Sequence, residues 1–262
     1  MENKYDMKRI FIFGCSFTKY HWPTWADIMT KLLQDHNVSI ECINLGRAGL
    51  GNVGIMHEIF KADIKYNFTN NDELFIMWTS WSREDRYRNG DWLVGGNVSI
   101  NEHYNDEFIK HHWSIENDII KNVTAMISIN KSFADIIRFQ CHASGFNLEN
   151  FKEQCKTKEE KELFDIYYHY VPKSLATDFE ELEYEMYTNF FPNDPYEKHP
   201  TVMAHLKFVE KHIAPLFNLN VEEITSRKFL SIDEWIKTKA TDKEGQDKVY
   251  DLWKSWHKTS QD

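Results

Sequence analysis

The first apolar run of the chain, Ile10-Phe11-Ile12-Phe13, is unbroken, of strand length and closed by Gly14. Lys8 to Phe13 therefore predicts a buried β-strand. After Pro23 the spacing changes to threes and fours: Trp25, Ile28, Met29, Leu32 and Leu33 fall on one face of a helix, with proline near its start, where it is tolerated. Ser39 to Leu45 predicts a second strand, ended by Gly46-Arg47-Ala48-Gly49-Leu50-Gly51-Asn52, and Ile55, Ile59 and Phe60 mark the helix behind it. Asn70-Asn71-Asp72 is a turn, and Glu73 to Thr79 a third strand. Strand, helix, strand, helix, strand at this spacing predicts βαβ units and a parallel sheet.

Beyond Ser82 the period is lost. Ser82 to Trp113 is polar and aromatic, with Gly90, Gly95 and Gly96, and predicts a long loop or small hairpin inserted after the third strand. Ile115 to Ala143 has helical spacing (Ile119, Ile120, Val123, Met126, Ile127), as one long or two shorter helices. A doubly wound sheet wants a fourth strand between about Phe139 and Leu148, where only Gly145-Phe146-Asn147-Leu148 is left for it. Lys156 to Tyr170 predicts a helix, and Pro200 to Ile213 another with Pro200 in its first turn. From Ser231 onward, Trp235, Leu252, Trp253 and Trp256 line an amphipathic tail. The expected organisation is one α/β domain over residues 1–218, with an insertion at about 84–113, and a helical C-terminal tail over 219–262.

Composition narrows the classes. With 262 residues, 42% of them hydrophobic and 15% aromatic, the chain has the material for a sizeable core. A formal charge of -10 excludes the clustered Lys and Arg of a nucleic-acid footprint. No stretch approaches ~20 apolar residues and the polar N-terminus carries no apolar signal core, so no membrane partner and a cytoplasmic place as made are expected. Cys15, Cys42, Cys141 and Cys155 form no Cys-x-x-Cys and no zinc arrangement with the 12 histidines. They read as buried thiols of a reducing compartment, and neither a metal nor a cofactor is expected.

The candidate chemistry lies at strand ends. Ser16 follows Gly14 where the first strand gives way to a helix, at the carboxyl edge that open α/β folds use for ligands. Gly14 allows the sharp turn, and the hydroxyl of Thr18 is placed to support it. A serine becomes a nucleophile when an imidazole takes its proton. The run Asn193-Asp194-Pro195-Tyr196-Glu197-Lys198-His199-Pro200-Thr201 supplies His199 at the lip of the following helix, with Asp194 and Glu197 both placed to fix its tautomer. The amides of the Gly46 to Asn52 turn face the same edge, where an oxyanion donor is useful. That turn is not a dinucleotide fingerprint, since its spacing is Gly-x-x-Gly-x-Gly and the residue about 20 positions on from Gly46 is Tyr66. The α/β-hydrolase elbow is also disfavoured, because Thr18 stands where its second glycine would be.

These residues carry a resemblance. Gly14-Cys15-Ser16-Phe17-Thr18 resembles the first block of SGNH/GDSL hydrolases, Asn44-Leu45-Gly46-Arg47-Ala48-Gly49 the second, and His199-Pro200 with His205 the fifth. It covers residues 8–83 and 190–214. The first-block variant, with Trp22-Pro23 soon after, is similar to SGNH-like proteins of phage and environmental bacteria. The resemblance implies a three-layer α/β/α fold with a parallel, flavodoxin-like sheet. It further implies Ser16 as nucleophile, His199 as base and Asp194 as orienting acid with Glu197 as the alternative. The oxyanion donors would come from Ser16, Gly49 and the third block. That block departs from the pattern: Met77-Trp78-Thr79-Ser80-Trp81-Ser82-Arg83 has no asparagine, leaving Thr79, Ser80, Ser82 or Arg83, of which Ser80 is the named candidate.

The activity so implied is hydrolysis of an ester, an O-acetyl or other short acyl group on a carbohydrate or small molecule, with a small-molecule or glycan ester as partner. Trp81, Tyr87, Trp92, Tyr104 and Trp113 would either wall a glycan cleft or pack the insertion onto the body. Two alternatives share the residues: a catalytically impaired SGNH-like binding or structural module, virion-associated if phage-derived, and an acyltransferase. Oligomeric state is not legible in the sequence.

Overall fold

The structure, a computed structural model, describes residues 7–80, 82–98, 104–143, 155–170, 187, 199–239, 245 and 248–249. In chain order the elements are β1 (Lys8–Phe13), α1 (Trp25–Asp35), β2 (Ile40–Asn44), α2 (Asn52–Tyr66), β3 (Asp72–Trp78), β4 (Arg83–Arg88), β5 (Asp91–Asn97), α3 (Asp106–His112), α4 (Ile115–Phe133), β6 (Ile137–His142), α5 (Lys158–Tyr170), α6 (Val202–Phe208) and α7 (Glu223–Lys239). Wide and tight helical turns, Val209–Ile213 and Ala214–Phe217, continue α6. The chain divides into two compact units, Met1–Ser16 with Glu41–Leu182 and Phe17–Ile40 with Glu183–Asp262.

The first unit is an α/β body, a parallel central sheet flanked by helices. Strand order is β2-β1-β3-β6, with β1 parallel to β3 and β3 parallel to β6. Ile10, Phe11, Ile12 and Phe13, and Leu74 through Trp78, are all buried, which explains their unbroken apolar runs: a parallel strand covered on both faces has no solvent side to alternate with. The order reverses direction between β1 and β3, the switch point where such folds open a crevice at the carboxyl ends of their strands.

The fourth strand corrects the sequence reading. It is Ile137–His142, taken from the end of the segment assigned wholly to helix; α4 stops at Phe133. Arg138 and Gln140 hid it, because an edge strand tolerates polar residues that a buried one does not. Gln140 is itself inside, its amide oxygen accepting from Trp78 Nε1 at 2.9 Å and its amide nitrogen donating to Asn130 Oδ1 at 2.8 Å. The strand thus overlaps the start of the expected 139–148 window, and residues 145–148, the stretch named for it, lie outside the described residues.

The insertion is a two-stranded antiparallel hairpin, β4-β5, followed by α3. Its turn is Asn89-Gly90, both with positive φ (56° and 82°), the pair that a tight hairpin turn demands. The hairpin packs on helices of its own unit. Tyr87 and Trp92 meet His57 of α2 at ring-centroid distances of 5.6 and 5.3 Å, and Trp92 Nε1 donates to His57 Nδ1 at 3.1 Å. Lys121 of α4 pairs with Glu84 and with Asp118, and Trp113 Nε1 donates to Asp118. Among the insertion's aromatics, Trp81 lies outside the described residues.

The second unit is helical. Trp25, Ile28, Met29, Leu32 and Leu33 of α1 are buried as their spacing predicts, and Asp27 accepts the N–H of Thr24 at the helix start. The helix of the C-terminal region begins at Glu223, before the Ser231 expected from the tryptophans, and buries Phe229, Ile232, Asp233 and Ile236. Leu252, Trp253 and Trp256 lie outside the described residues. Among the described residues no helix is long and apolar enough to cross a membrane.

Candidate active site

Ser16 stands three residues beyond β1, buried at 6% exposure, at the carboxyl edge of the sheet. The turn after β2 is tied to the same edge: Leu45 N–H donates to Ile12 O at 2.8 Å and Arg47 N–H to Gly14 O at 2.9 Å. Extended pairing thus continues past β1 and draws the glycine turn alongside Gly14-Cys15-Ser16.

Within that turn most backbone donors are spoken for. Gly46 N–H goes to Asn44 Oδ1, Arg47 N–H to Gly14 O, Leu50 N–H to Arg47 O, and Gly51 N–H to Asp85 Oδ1 at 2.7 Å. The N–H groups of Ala48 and Gly49 have no partner among the described residues, nor has that of Ser16. Gly49 has φ 78°, a left-handed conformation that L side chains rarely adopt.

A residue the sequence reading missed holds this turn. Asp85 of β4 accepts Gly51 N–H through Oδ1 and Gly54 N–H, at 2.8 Å, through Oδ2, filling donors that the start of α2 leaves open. Burial pushes its carboxyl above the usual value, against the two backbone N–H groups and the charges of Arg83 and Lys121. Arg47 clamps the hairpin tip as well, bidentate on Asp91 at 2.6 and 2.9 Å. That guanidinium draws the exposed Asp91 carboxyl down to about 2. Gly90, Gly95 and Gly96 suggested a loop or hairpin, and nothing in the pattern pointed its acid at a glycine turn.

At the end of β3, Ser80 is half-buried. Its Oγ lies 3.0 Å from Ser82 Oγ and accepts Ser82 N–H at 3.4 Å. A hydroxyl has two lone pairs and one proton, so Ser80 can accept from both groups of Ser82 and keep its own proton to donate. Arg83 is committed, Nη1 donating to Leu50 O at 3.1 Å. Thr79 Oγ1 is fully enclosed, whereas Ser80 and Ser82 are both half-buried.

His199 belongs to the second unit, where aromatic rings surround it. Tyr20 stacks on it with centroids 3.9 Å apart, and Phe17 and Trp22 stand edge-on at 5.4 and 6.1 Å. Its carbonyl accepts Tyr187 N–H at 3.0 Å, and Tyr187 Oη donates to the buried Asp233 at 2.8 Å. The expected helix start shifts: Pro200 precedes α6, and Thr201 caps it, Oγ1 accepting Ala204 N–H at 3.1 Å. Pro200 is buried outside the helix rather than in its first turn, and the threonine hydroxyl does the capping. Thr18 takes part here too, its carbonyl accepting Thr24 Oγ1 at 2.7 Å and its hydroxyl accepting Trp25 Nε1 at 3.3 Å. His205, wholly buried on α6, is pushed down to about 3 by burial and by the neighbouring His199, so it is neutral and unsuited to proton exchange with solvent. Asp194 and Glu197 lie outside the described residues.

No protein-family model matches the chain, and no curated protein matches it. Solved structures do align with it over most of its length. An acetylxylan esterase from Geobacillus stearothermophilus has 14% identity, covering 80% of this chain and 94% of that one, with a TM-score of 0.44. An alpha/beta hydrolase from the metagenome of Lake Arreo, Spain, has 11% identity, covering 82% and 97%, with a TM-score of 0.46. The psychrotrophic esterase EstA from Pseudoalteromonas sp. has 10% identity, covering 86% and 99%, with a TM-score of 0.38.

Proposed function

We propose that this chain is a serine esterase of SGNH type that hydrolyses a short acyl ester, an O-acetyl group on a carbohydrate or small molecule. The observation that carries the reading is the pairing of Arg47 N–H, two residues before Gly49, with Gly14 O, two residues before Ser16. It supports an oxyanion role for the Gly49 N–H, unpartnered among the described residues. The contact of Phe17, the residue bonded to Ser16, with the His199 ring supports the same assignment.

In this reading Ser16 Oγ attacks the ester carbonyl carbon as the His199 imidazole takes its proton. The carbonyl oxygen becomes an oxyanion, held by the N–H groups of Ser16 and Gly49 and the hydroxyl of Ser80. The carbon–alkoxide bond then breaks and the leaving alcohol takes the proton back from His199. Water, activated by the same imidazole, hydrolyses the acyl-serine. Asp194, or Glu197, holds the imidazole in the right tautomer.

The test is turnover of p-nitrophenyl acetate and of acetylated oligosaccharides. Ser16→Ala and His199→Ala should each lower kcat by ~10³-fold or more. Asp194→Asn and Glu197→Gln, made separately, identify the acid by which of them loses kcat. Turnover that survives Ser16→Ala would sink the assignment, and binding of an acetylated glycan with no turnover would favour the binding module.

A further inference from the structure

Asn52, the first residue of α2, is 1% exposed, and its side chain pairs with the backbone of Thr79 in both directions. Oδ1 accepts Thr79 N–H at 2.8 Å and Nδ2 donates to Thr79 O at 3.0 Å. The second Nδ2 proton goes to Asn122 Oδ1, and Asn122 Nδ2 in turn donates to Asp118 O at 2.6 Å. One carboxamide thus does for the end of β3 what a neighbouring strand would do, and ties it to α2 and α4 at once.

We propose that Asn52 is a positioning residue for the oxyanion site: it holds Thr79 so that the adjacent Ser80 hydroxyl keeps its place relative to the Gly49 turn. This rests on Ser16 being the nucleophile. The spacing makes the case. Gly49 is three residues before Asn52 on one continuous turn, and Ser80 is the residue after the one that Asn52 grips. Both amide protons of Asn52 are used, so it does not itself donate to substrate. The turn is also held by Asp85 on Gly51 N–H at 2.7 Å and by Arg83 on Leu50 O at 3.1 Å, and Asn52 adds the link to Thr79, the residue next to Ser80. The third block lacks its own asparagine, and an asparagine from α2 braces the strand end instead.

The test is a double-mutant cycle on hydrolysis of p-nitrophenyl acetate, with active sites counted by titration. Asn52→Asp keeps the shape and the acceptor toward Thr79 N–H but removes both donated bonds. It should lower kcat ~10- to 100-fold, the scale of a small misplacement, with KM within about twofold. Ser80→Ala should lower kcat ~10²–10³-fold. The two together should be little worse than Ser80→Ala alone, because Asn52 acts through Ser80. If Asn52→Asp does not fold, Asn122→Ala, which removes the outer acceptor together with its bond to Asp118 O but leaves both Asn52–Thr79 bonds, should show a smaller loss of ~3- to 10-fold that also vanishes in the Ser80→Ala background. Losses that multiply, an unchanged kcat per titrated site, or a silent Ser80→Ala would each overturn the proposal. Wild-type protein without Ser16-dependent turnover would overturn the esterase reading and this one with it; turnover with an additive cycle overturns this one alone.

Discussion

Tyr20 lies nearly face to face with the imidazole of His199, their centroids 3.9 Å apart and their planes inclined by 21°. Phe17 and Trp22 close on the same ring from its edges. Three aromatics from the segment that follows Ser16 therefore grip the imidazole, which fixes its orientation by packing.

Tyr20 should accordingly matter to rate more than to binding. Such a ring pair is worth ~0.5–1.5 kcal/mol. Tyr20→Leu should lower kcat ~3- to 10-fold with KM little changed, and Tyr20→Phe, which keeps the stack, should restore it. Steady-state kinetics on an acetyl ester check this. Equal rates in the Leu and Phe variants would leave Tyr20 without a role in orientation.

Gly49 should be intolerant of a side chain. Its φ of 78° costs other residues ~1–2 kcal/mol, so Gly49→Ala should lose stability on that scale in urea. Strain in the turn should also displace the amide and lower kcat. Wild-type stability and rate in that variant would contradict the backbone assignment.

Two buried histidines should make the fold acid-labile. Burial holds His142 down to about 4 and His205 to about 3, from an ordinary 6.5, so both stay neutral in the fold while the unfolded chain takes up a proton on each. Their contribution is whole above 6.5 and is lost as pH falls toward these values, at ~1.4 kcal/mol per pH unit for each imidazole. Urea melts between pH 7 and 4.5 should show this slope, and His142→Gln or His205→Gln should each reduce it by one proton. An unchanged slope would mean that the imidazole charges in the fold.

Asp85 should act in the opposite sense. Its carboxyl is raised above the ordinary 3.8, so the fold holds a proton that the unfolded chain releases. The stability this contributes is whole below 3.8 and is lost as pH rises through the elevated value. Asp85→Asn keeps a neutral side chain and should remove that loss. Stability differences between wild type and variant, followed from pH 3.5 upward, should shift in favour of the variant as pH rises; a constant difference would contradict the assignment.

The sheet was legible where its strands carry apolar runs, covered on both faces in β1 and β3. Lys8–Phe13 matches its expected bounds, and the second and third strands fall within a residue of theirs. It was illegible where strands are polar. Arg83–Arg88 reads Arg-Glu-Asp-Arg-Tyr-Arg, with no alternation to betray a hairpin, and Ile137–His142 carries Arg138 and Gln140. At the site, Gly49 stood out because a turn glycine announces its conformation. Tyr20, Asn52 and Asp85 did not, because each acts on a partner 179, 27 or 31 and more residues away, and local spacing holds no record of such pairings.

The central claim is that Ser16 is an activated nucleophile. Its most direct measurement is covalent labelling by a fluorophosphonate, with the modified peptide located by mass spectrometry. The account predicts one adduct, on Ser16, lost in Ser16→Ala and slowed ~10³-fold or more in His199→Ala. No adduct, or one that forms as fast without His199, would contradict it.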